Sequence, residues 1–246
     1  MMPSHSSSPN QVTLALRSFI FFIFQVLTLC VFAPLVLLCF AFPYRIRYAI
    51  SSAWAKLVIK GLKAICRLDY QVTGAEHIQG NGIIFCKHQS AWETFALQAI
   101  FPQQCWVMKR ELLWIPLFGW ALALTQPIAI DRAKKTRSFK QIIEQGSQRL
   151  KTGRWVVIFP EGTRTAPGEK RKYMIGGALL AEKTGFPIIP VAHNAGEYWP
   201  KKAFIKYPGT IQVRIGPMIT SQGVSARELN QTAEEWIEGQ MEQISN

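Results

Sequence analysis

The sequence predicts an α/β protein with a largely parallel central sheet covered by helices and an N-terminal membrane-embedded helical segment. Two patterns support this fold class: a long uncharged apolar segment near the N-terminus, and short apolar runs that alternate with helical stretches after residue 70. A length of 246 residues suits one catalytic domain with an appendage. We expect a disordered tail over residues 1–17, a membrane anchor and interfacial helix over 18–67, and an α/β domain over 68–246.

The N-terminal apolar segment runs from Ser18 to Phe42 and contains no charged residue. A helix of this length crosses the hydrocarbon core of a bilayer, which is roughly 30 Å thick. A cleavable signal peptide fits less well, because the run is long, a single Arg17 precedes it and no small-residue cleavage site follows. Pro34 also permits a kinked hairpin that enters only one leaflet.

Cationic residues are concentrated on the C-terminal side of the apolar segment. They include Arg45 and Arg47, followed by a set spaced on one helical face: Lys56, Lys60, Lys63 and Arg67. If the segment spans, this excess places the catalytic domain on the cytoplasmic face of the inner membrane. A cationic face opposite an apolar face predicts that the second helix lies on an anionic membrane surface. The alternative is an ordinary surface helix packed on the domain.

The region after residue 70 has the alternation of a parallel sheet whose two faces are both buried. The predicted strands are Tyr70–Thr73, Gly82–Cys86, Trp106–Met108, Pro127–Ile130, Trp155–Phe159, Pro187–Ala192 and Thr210–Ile215. The predicted helices are Ala91–Ile100, Ser138–Lys151, Ile175–Lys183 and Ala226–Ile244. In sheets of this kind, ligands bind beyond the carboxyl ends of the strands.

Charge and cysteine content restrict the partners and the compartment. A formal net charge of +13 indicates anionic partners, which include nucleic acid, anionic lipid surfaces and phosphorylated substrates. No nucleic-acid recognition motif accompanies this charge, and the long apolar segment argues against such binding. The five cysteines show no paired spacing typical of metal ligands, so we expect a reduced, cytoplasmic-facing protein without a metal site.

Polar or ionisable residues follow four of the apolar runs directly. They are Lys87-His88, Asp131-Arg132, Glu161 to Arg164, and His193-Asn194. Because the carboxyl ends of parallel strands share one edge of the sheet, these groups are expected to converge there. The convergence predicts a functional site at that edge.

His88 and Glu93 are the candidate acid–base pair of this site. A carboxylate one helical turn after an imidazole can hold its Nδ1 and stabilise the cation that forms on proton transfer. The segment Ser90 to Glu93 also has the S-x-x-E pattern of a capping box, which accounts for Ser90 and Glu93 without catalysis. Both roles are compatible if the oxygens of Glu93 serve both purposes. A lone His at a strand end is otherwise more often structural.

The hexapeptide from Phe159 to Arg164, FPEGTR, predicts a tight loop that presents an arginine. Pro160 ends strand pairing and Gly162 permits a sharp turn. An arginine on such a loop can hold a phosphate through two parallel hydrogen bonds. Arg132 offers the same chemistry. The alternative for each arginine is an ion pair with the neighbouring acid.

Four ordered segments resemble the glycerolipid acyltransferases, most closely the 1-acylglycerol-3-phosphate (lysophosphatidate) acyltransferases. The N-H-x4-D block of that family is similar to Lys87 to Glu93, and its second block is similar to Gln126 to Arg132. The F-P-E-G-T-R block stands intact at Phe159 to Arg164, and the apolar proline block is similar to Pro187 to Val191. The segment that begins at Lys109 is also similar to a stretch between the first two blocks.

The resemblance implies acyl transfer from an acyl thioester to the free hydroxyl of lysophosphatidate, with acyl-coenzyme A or acyl carrier protein as donor and no bound cofactor. It assigns general base chemistry to His88 with Glu93 as its partner. It assigns substrate binding to a second set of residues: Lys109, Arg132, Glu161, Gly162, Thr163 and Arg164. The turn from Glu161 to Thr163 would also offer backbone N–H groups to the thioester oxyanion.

Departures from the family pattern leave the acceptor open. Lys87 stands where the family has Asn, and Glu93 stands where it has Asp. Another lysolipid or an amino lipid is therefore an alternative acceptor. A lipid hydrolase that uses the same His and Glu, and a lipid-binding protein without catalytic activity, are the alternatives from other function classes.

Overall fold

A computed structural model describes residues 10–131 and 133–245. Within these residues the helices are α1 (Gln11–Leu38), α2 (Tyr44–Cys66), α3 (Trp92–Ile100), α4 (Phe118–Leu124), α5 (Lys135–Lys151), α6 (Gly176–Thr184), α7 (Ala195–Tyr198) and α8 (Ala226–Ile244). The strands are β1 (Leu68–Thr73), β2 (Ile83–Cys86), β3 (Gln104–Lys109), β4 (Ile128–Ile130), β5 (Trp155–Ile158), β6 (Ile188–His193) and β7 (Gly209–Ile215). All seven predicted strands are confirmed, with ends that differ by at most two residues.

The seven strands form one sheet in the order β1-β7-β6-β2-β5-β3-β4. The five strands from β6 to β4 are mutually parallel, whereas β7 pairs antiparallel with β6 and parallel with β1. The predicted fold class, a largely parallel sheet covered by helices, is therefore confirmed. Strands β2, β5 and β6 lie side by side at the centre, so their carboxyl ends are adjacent.

Alternating side chains of the central strands build a core on each face of the sheet. Ile84 and Cys86 of β2 belong to the core that also receives α2 and α3. Ile83 and Phe85 belong to the opposite core, which α5, α6 and α8 cover. This two-residue period is the expected geometry of a strand buried on both faces.

The N-terminal helices differ from the expected separate anchor. Helix α1 already begins at Gln11, where the Asn10 side chain accepts the Val12 N–H, so the expectation of a disordered tail up to residue 17 was wrong for residues 11–17. The rest of the expected tail, residues 1–9, lies outside the described residues. Phe21 of α1 lies in the same core as the central strands, so position 67 does not divide two independent packing units.

Helix α2 follows the alternative of a packed surface helix more closely than that of a purely interfacial one. Its buried face includes Val58, Ile59 and Leu62, which belong to the core of the domain. Trp54 donates its indole N–H to Thr28 Oγ1 and packs edge-on against Phe95, rather than pointing outward. The lysines of α2 remain exposed on the opposite face: Lys56, Lys60 and Lys63.

Candidate active site

Three of the four predicted groups, those that follow β2, β5 and β6, meet at the carboxyl edge of the sheet. The fourth begins at Asp131 and follows β4, which β5 and β3 separate from β2, and Asp131 pairs with Arg110 instead. The backbone links two of these loops directly, because the Thr165 N–H donates to His88 O over 2.8 Å. His193, the last residue of β6, approaches the first loop through Nε2, which lies 2.8 Å from Lys87 O. The central strands therefore bring the sequence-predicted candidates His88, Glu161 and His193 into one cluster.

His88 and Glu93 form a direct pair. The distance from His88 Nδ1 to Glu93 Oε1 is 2.7 Å. The Glu93 side chain has no exposed surface, while the His88 side chain keeps 13% of its surface exposed. The imidazole also stacks on the Phe159 ring, with ring centres 3.9 Å apart and planes inclined by 13°. Glu93 and Phe159 thus fix the ring from two sides and leave its Nε2 edge for a substrate.

The capping role of Glu93 coexists with its contact to His88. Ser90 N–H donates to Oε1 over 3.0 Å and Gln89 N–H donates to the same oxygen over 3.1 Å. The Ser90 hydroxyl donates to Trp199 O and accepts the Trp92 N–H. Since that hydroxyl both donates and accepts a hydrogen bond within the protein, Ser90 is poorly placed to act as a nucleophile.

The surroundings of Glu93 favour its ionised form. Burial opposes ionisation, but hydrogen bonds from the His88 side chain and the Ser90 N–H favour it, and the pKa of Glu93 is lowered. His193 is itself buried, and burial lowers the pKa of its imidazole despite the nearby Glu93. A neutral His193 and an ionised Glu93 leave the negative charge available to stabilise a protonated His88.

A cavity of about 570 Å³ opens beside His88. Helices α1 and α4 contribute apolar side chains to its wall, among them Leu29, Phe32, Ala33, Val36, Phe118 and Ala121. Its polar wall residues include Thr163, Arg164, Lys109, Lys201 and Lys202. Apolar and cationic side chains therefore line the same cavity as His88.

The six residues expected to bind substrate divide into four groups, of which Glu161 forms the last. Lys109, Thr163 and Arg164 line the cavity, as a binding role requires. Gly162 adopts a left-handed φ of +68°, and a β-carbon there would lie 2.8 Å from Met174 Cε. Arg132 lies outside the described residues.

Glu161 differs from the expectation of a side chain that contacts substrate. Its side chain has no exposed surface, and its Oε1 lies 2.8 Å from Lys87 Nζ. Its Oε2 accepts the His88 N–H over 2.8 Å. Burial on these partners makes the carboxylate a support for the His88 loop, and the same burial keeps it from reaching a ligand in the cavity.

Comparison of the chain with known proteins identifies its family. A family model described as Acyltransferase matches residues 69–194. The 1-acyl-sn-glycerol-3-phosphate acyltransferase of Pseudomonas aeruginosa is 48% identical over 208 residues, which cover 82% of this chain and 81% of that protein. This chain belongs to the acyltransferase family.

Two further matches are more distant in sequence. The mouse 1-acyl-sn-glycerol-3-phosphate acyltransferase alpha is 30% identical over 176 residues, which cover 69% of this acyltransferase and 61% of the mouse protein. The crystal structure of the 1-acyl-sn-glycerophosphate (LPA) acyltransferase PlsC from Thermotoga maritima matches with a TM-score of 0.78, over 93% of this chain and 94% of that one. At 23% identity this structural likeness shows a shared fold.

Sequence reasoning missed the role of Lys87 in this acyltransferase. Its side chain is 3% exposed, and its Nζ lies 2.7 Å from Glu238 Oε1, in addition to its contact with Glu161. Burial lowers the pKa of this lysine, but the two carboxylates outweigh burial and raise it, so Lys87 stays charged. A lysine where the family motif has Asn was the available signal. The distance of 151 residues between Lys87 and Glu238 concealed its partner.

Proposed function

We propose that this acyltransferase moves a fatty acyl group from an acyl thioester to the free hydroxyl of lysophosphatidate, giving phosphatidate for phospholipid synthesis. The observation that carries the proposal is the position of His88, held by Glu93, in the wall of a cavity that apolar and cationic side chains line together. Such a cavity suits a molecule that combines acyl chains with a phosphate. The names of the relatives point to the same acceptor.

The chemistry needs one proton acceptor and no covalent enzyme intermediate. His88 Nε2 takes the hydroxyl proton of the acceptor as its oxygen attacks the thioester carbonyl carbon. Ionised Glu93 stabilises the imidazolium across the 2.7 Å contact at Nδ1. When the tetrahedral intermediate collapses, the C–S bond breaks and the departing thiolate takes the proton from His88. The products are an ester and a free thiol.

The cations of the cavity wall are assigned to the acceptor phosphate. Arg164 follows the left-handed turn at Gly162 and lines the cavity together with Lys109. Lys201 Nζ donates to Arg164 O over 2.6 Å, which fixes the backbone that presents the guanidinium. A planar guanidinium can grip a phosphate through two hydrogen bonds. In the turn of residues 161–163 the Gly162 N–H donates to Phe159 O over 3.0 Å, so the N–H groups on either side of it are the candidate donors for the thioester oxyanion.

The donor is proposed to be acyl-coenzyme A or acyl carrier protein, with no bound cofactor. Both donors present the same thioester, and the apolar wall that includes Phe32, Ala33 and Ala121 suits the acyl chain of either. The segment of residues 112–124 supplies Leu112, Phe118, Ala121 and Leu122 to this wall.

The protein is proposed to sit in one leaflet of the inner membrane, with its catalytic domain on the cytoplasmic face. Helix α1 is the one helix among the described residues that is long and apolar enough to cross a bilayer, and only 17% of its most apolar window is buried. Nevertheless, Leu14 and Phe21 near its start and Ala33 and Val36 near its end are all buried. Because α1 packs against the rest of the protein near both of its ends, it cannot cross the bilayer alone. This packing favours insertion of only the exposed face of α1 into one leaflet.

A thiol-release assay tests the proposed activity. Purified full-length protein in mixed micelles is given palmitoyl-coenzyme A and one acceptor from a panel: lysophosphatidate, lysophosphatidylcholine, monoacylglycerol or an ornithine-based lysolipid. Release of coenzyme A that requires lysophosphatidate and yields equimolar phosphatidate supports the proposal. Release without any acceptor would indicate a hydrolase, and preference for another acceptor would reassign the substrate. A parallel series with palmitoyl-acyl carrier protein identifies the donor.

A further inference from the structure

A buried ion cluster joins the active-site loop to the C-terminal helix. Lys87 Nζ lies 2.8 Å from Glu161 Oε1 and 2.7 Å from Glu238 Oε1. Glu238 belongs to α8, which covers the opposite face of the sheet from α2 and α3. The Tyr173 hydroxyl donates to the same Glu238 oxygen over 2.9 Å. The cluster therefore connects α8 to the residue immediately before His88.

The second oxygen of Glu161 extends this cluster to the backbone of His88. Glu161 Oε2 accepts the His88 N–H over 2.8 Å, while Thr165 N–H donates to His88 O over 2.8 Å. Both backbone polar groups of His88 are thus held by the loop that follows β5. The orientation of Glu161 determines one of these two bonds. Lys87 Nζ holds Glu161 Oε1 over 2.8 Å, and the Thr165 hydroxyl lies 3.2 Å from the same oxygen.

We propose that Lys87 and Glu238 are positioning residues for acyl transfer: Glu238 holds the Lys87 ammonium, and Lys87 holds Glu161 in the orientation that fixes the His88 backbone. Neither side chain contacts substrate in this account. A buried ammonium between two carboxylates has a defined position, because each partner would be left as an uncompensated buried charge if it moved away. Small displacements of a reacting group have large effects on rate, so the cluster acts on kcat.

The exposed pair one turn further along α8 provides a matched control. Lys170 Nζ lies 2.7 Å from Glu242 Oε1, with side chains 62% and 67% exposed. Like the Lys87–Glu238 contact, it is a lysine–glutamate pair whose glutamate belongs to α8, but it does not contact the cluster that holds His88. Exposed pairs of this kind contribute little to stability.

The test combines steady-state kinetics with hydrogen exchange on the full chain in detergent micelles. Lys87→Met and Glu238→Met are expected to lower kcat by about tenfold or more, with the KM for lysophosphatidate changed much less. The double variant should fall no further than the more damaging single variant, because both act through one cluster. Glu238→Gln should retain most activity, since its amide oxygen still accepts from Lys87 and Tyr173. Lys170→Met and Glu242→Met should stay within about twofold of wild type.

Hydrogen exchange gives a readout that does not depend on the reaction. The peptide that contains the His88 amide should exchange faster in Glu238→Met than in wild type or in Glu242→Met. The kinetic readout rests on the proposed function, whereas the exchange readout does not, so an inactive wild-type protein would refute only the proposed function. Unchanged exchange at His88, or a kcat of Glu238→Met within about twofold of wild type, would overturn the positioning role. Glu238→Met alone decides the matter if Lys87→Met does not fold.

Discussion

Glu93 Oε1 lies 2.7 Å from His88 Nδ1 and accepts the backbone N–H groups of Gln89 and Ser90 as well. One carboxylate oxygen therefore fixes both the imidazole and the turn that leads into α3. Because the backbone bonds hold Glu93 whether or not His88 is charged, the pair is set before a substrate arrives. This preorganisation is the basis for the first prediction.

Glu93→Gln should separate the two roles of this residue. The amide oxygen of Gln still accepts the Ser90 N–H, so we expect the melting temperature to stay close to that of wild type. The imidazolium loses its counter-charge, so kcat should fall by about 10²-fold or more. Thermal denaturation and steady-state kinetics on the same sample check both parts. Near-normal turnover would show that Glu93 is only a cap.

Arg164→Lys should lower the activity on lysophosphatidate even though it keeps the positive charge. Arg164→Lys loses the planar fork, so it should impair acylation of lysophosphatidate nearly as much as Arg164→Ala does. The comparison is made with monoacylglycerol, an acceptor without phosphate, at matched donor concentration. Equal losses on both acceptors would mean that Arg164 holds something other than the phosphate.

His193 should make the folded state less stable in mild acid. Burial lowers the pKa of its imidazole in the folded protein, while the unfolded chain takes up a proton near pH 6.5. The unfolded state therefore binds more protons as pH falls below that value, and the free energy of unfolding decreases with it. The contribution of His193 is complete above about pH 6.5 and declines as the solution becomes more acidic.

Comparison with His193→Gln isolates this effect. Wild type should lose more of its melting temperature than His193→Gln between about pH 7.5 and pH 5.5. His77→Gln is the control, because His77 lies near the β7 end and bonds Ile215 O rather than the catalytic cluster. Parallel pH profiles for wild type and His193→Gln would contradict the assignment of a neutral buried His193.

The outer face of α1 should bind membranes in a salt-independent way. Ile20 and Leu27 are 47% and 62% exposed, and burial of such side chains in lipid does not weaken as ionic strength rises. Charged substitutions at both positions should release the protein from anionic vesicles at all salt concentrations. Substitution of Lys56 and Lys60 by Gln should reduce binding only at low salt. Flotation of vesicles measures both, and wild-type protein that leaves vesicles in high salt would refute the apolar insertion.

Local patterns were sufficient to predict the sheet and the His88–Glu93 pair. The short apolar runs predict strands because each is buried on both faces, and the i, i+5 spacing of the pair lies within one loop and one helical turn. Parallel pairing then places the ends of β2, β5 and β6 together. No knowledge of distant contacts is needed for any of these steps.

Contacts between distant segments account for what the sequence did not predict. The apolar composition of α1 indicates lipid, yet Phe21 packs edge-on against Trp199 and Ser18 Oγ accepts the Lys206 N–H. These partners lie far along the chain, so composition cannot reveal them. The burial of Glu161 likewise depends on Lys87, whose second partner Glu238 belongs to another layer of the fold.

The most direct test of the account is the single-turnover yield of phosphatidate from lysophosphatidate and palmitoyl-coenzyme A, in wild type and His88→Ala. Wild type should form phosphatidate and free coenzyme A in equal amounts without an acylated protein intermediate. His88→Ala should form phosphatidate at least about 10²-fold more slowly while it keeps its melting temperature, because only the general base is removed. Formation of phosphatidate by folded His88→Ala at a rate close to that of wild type would contradict the assignment of His88 as the base.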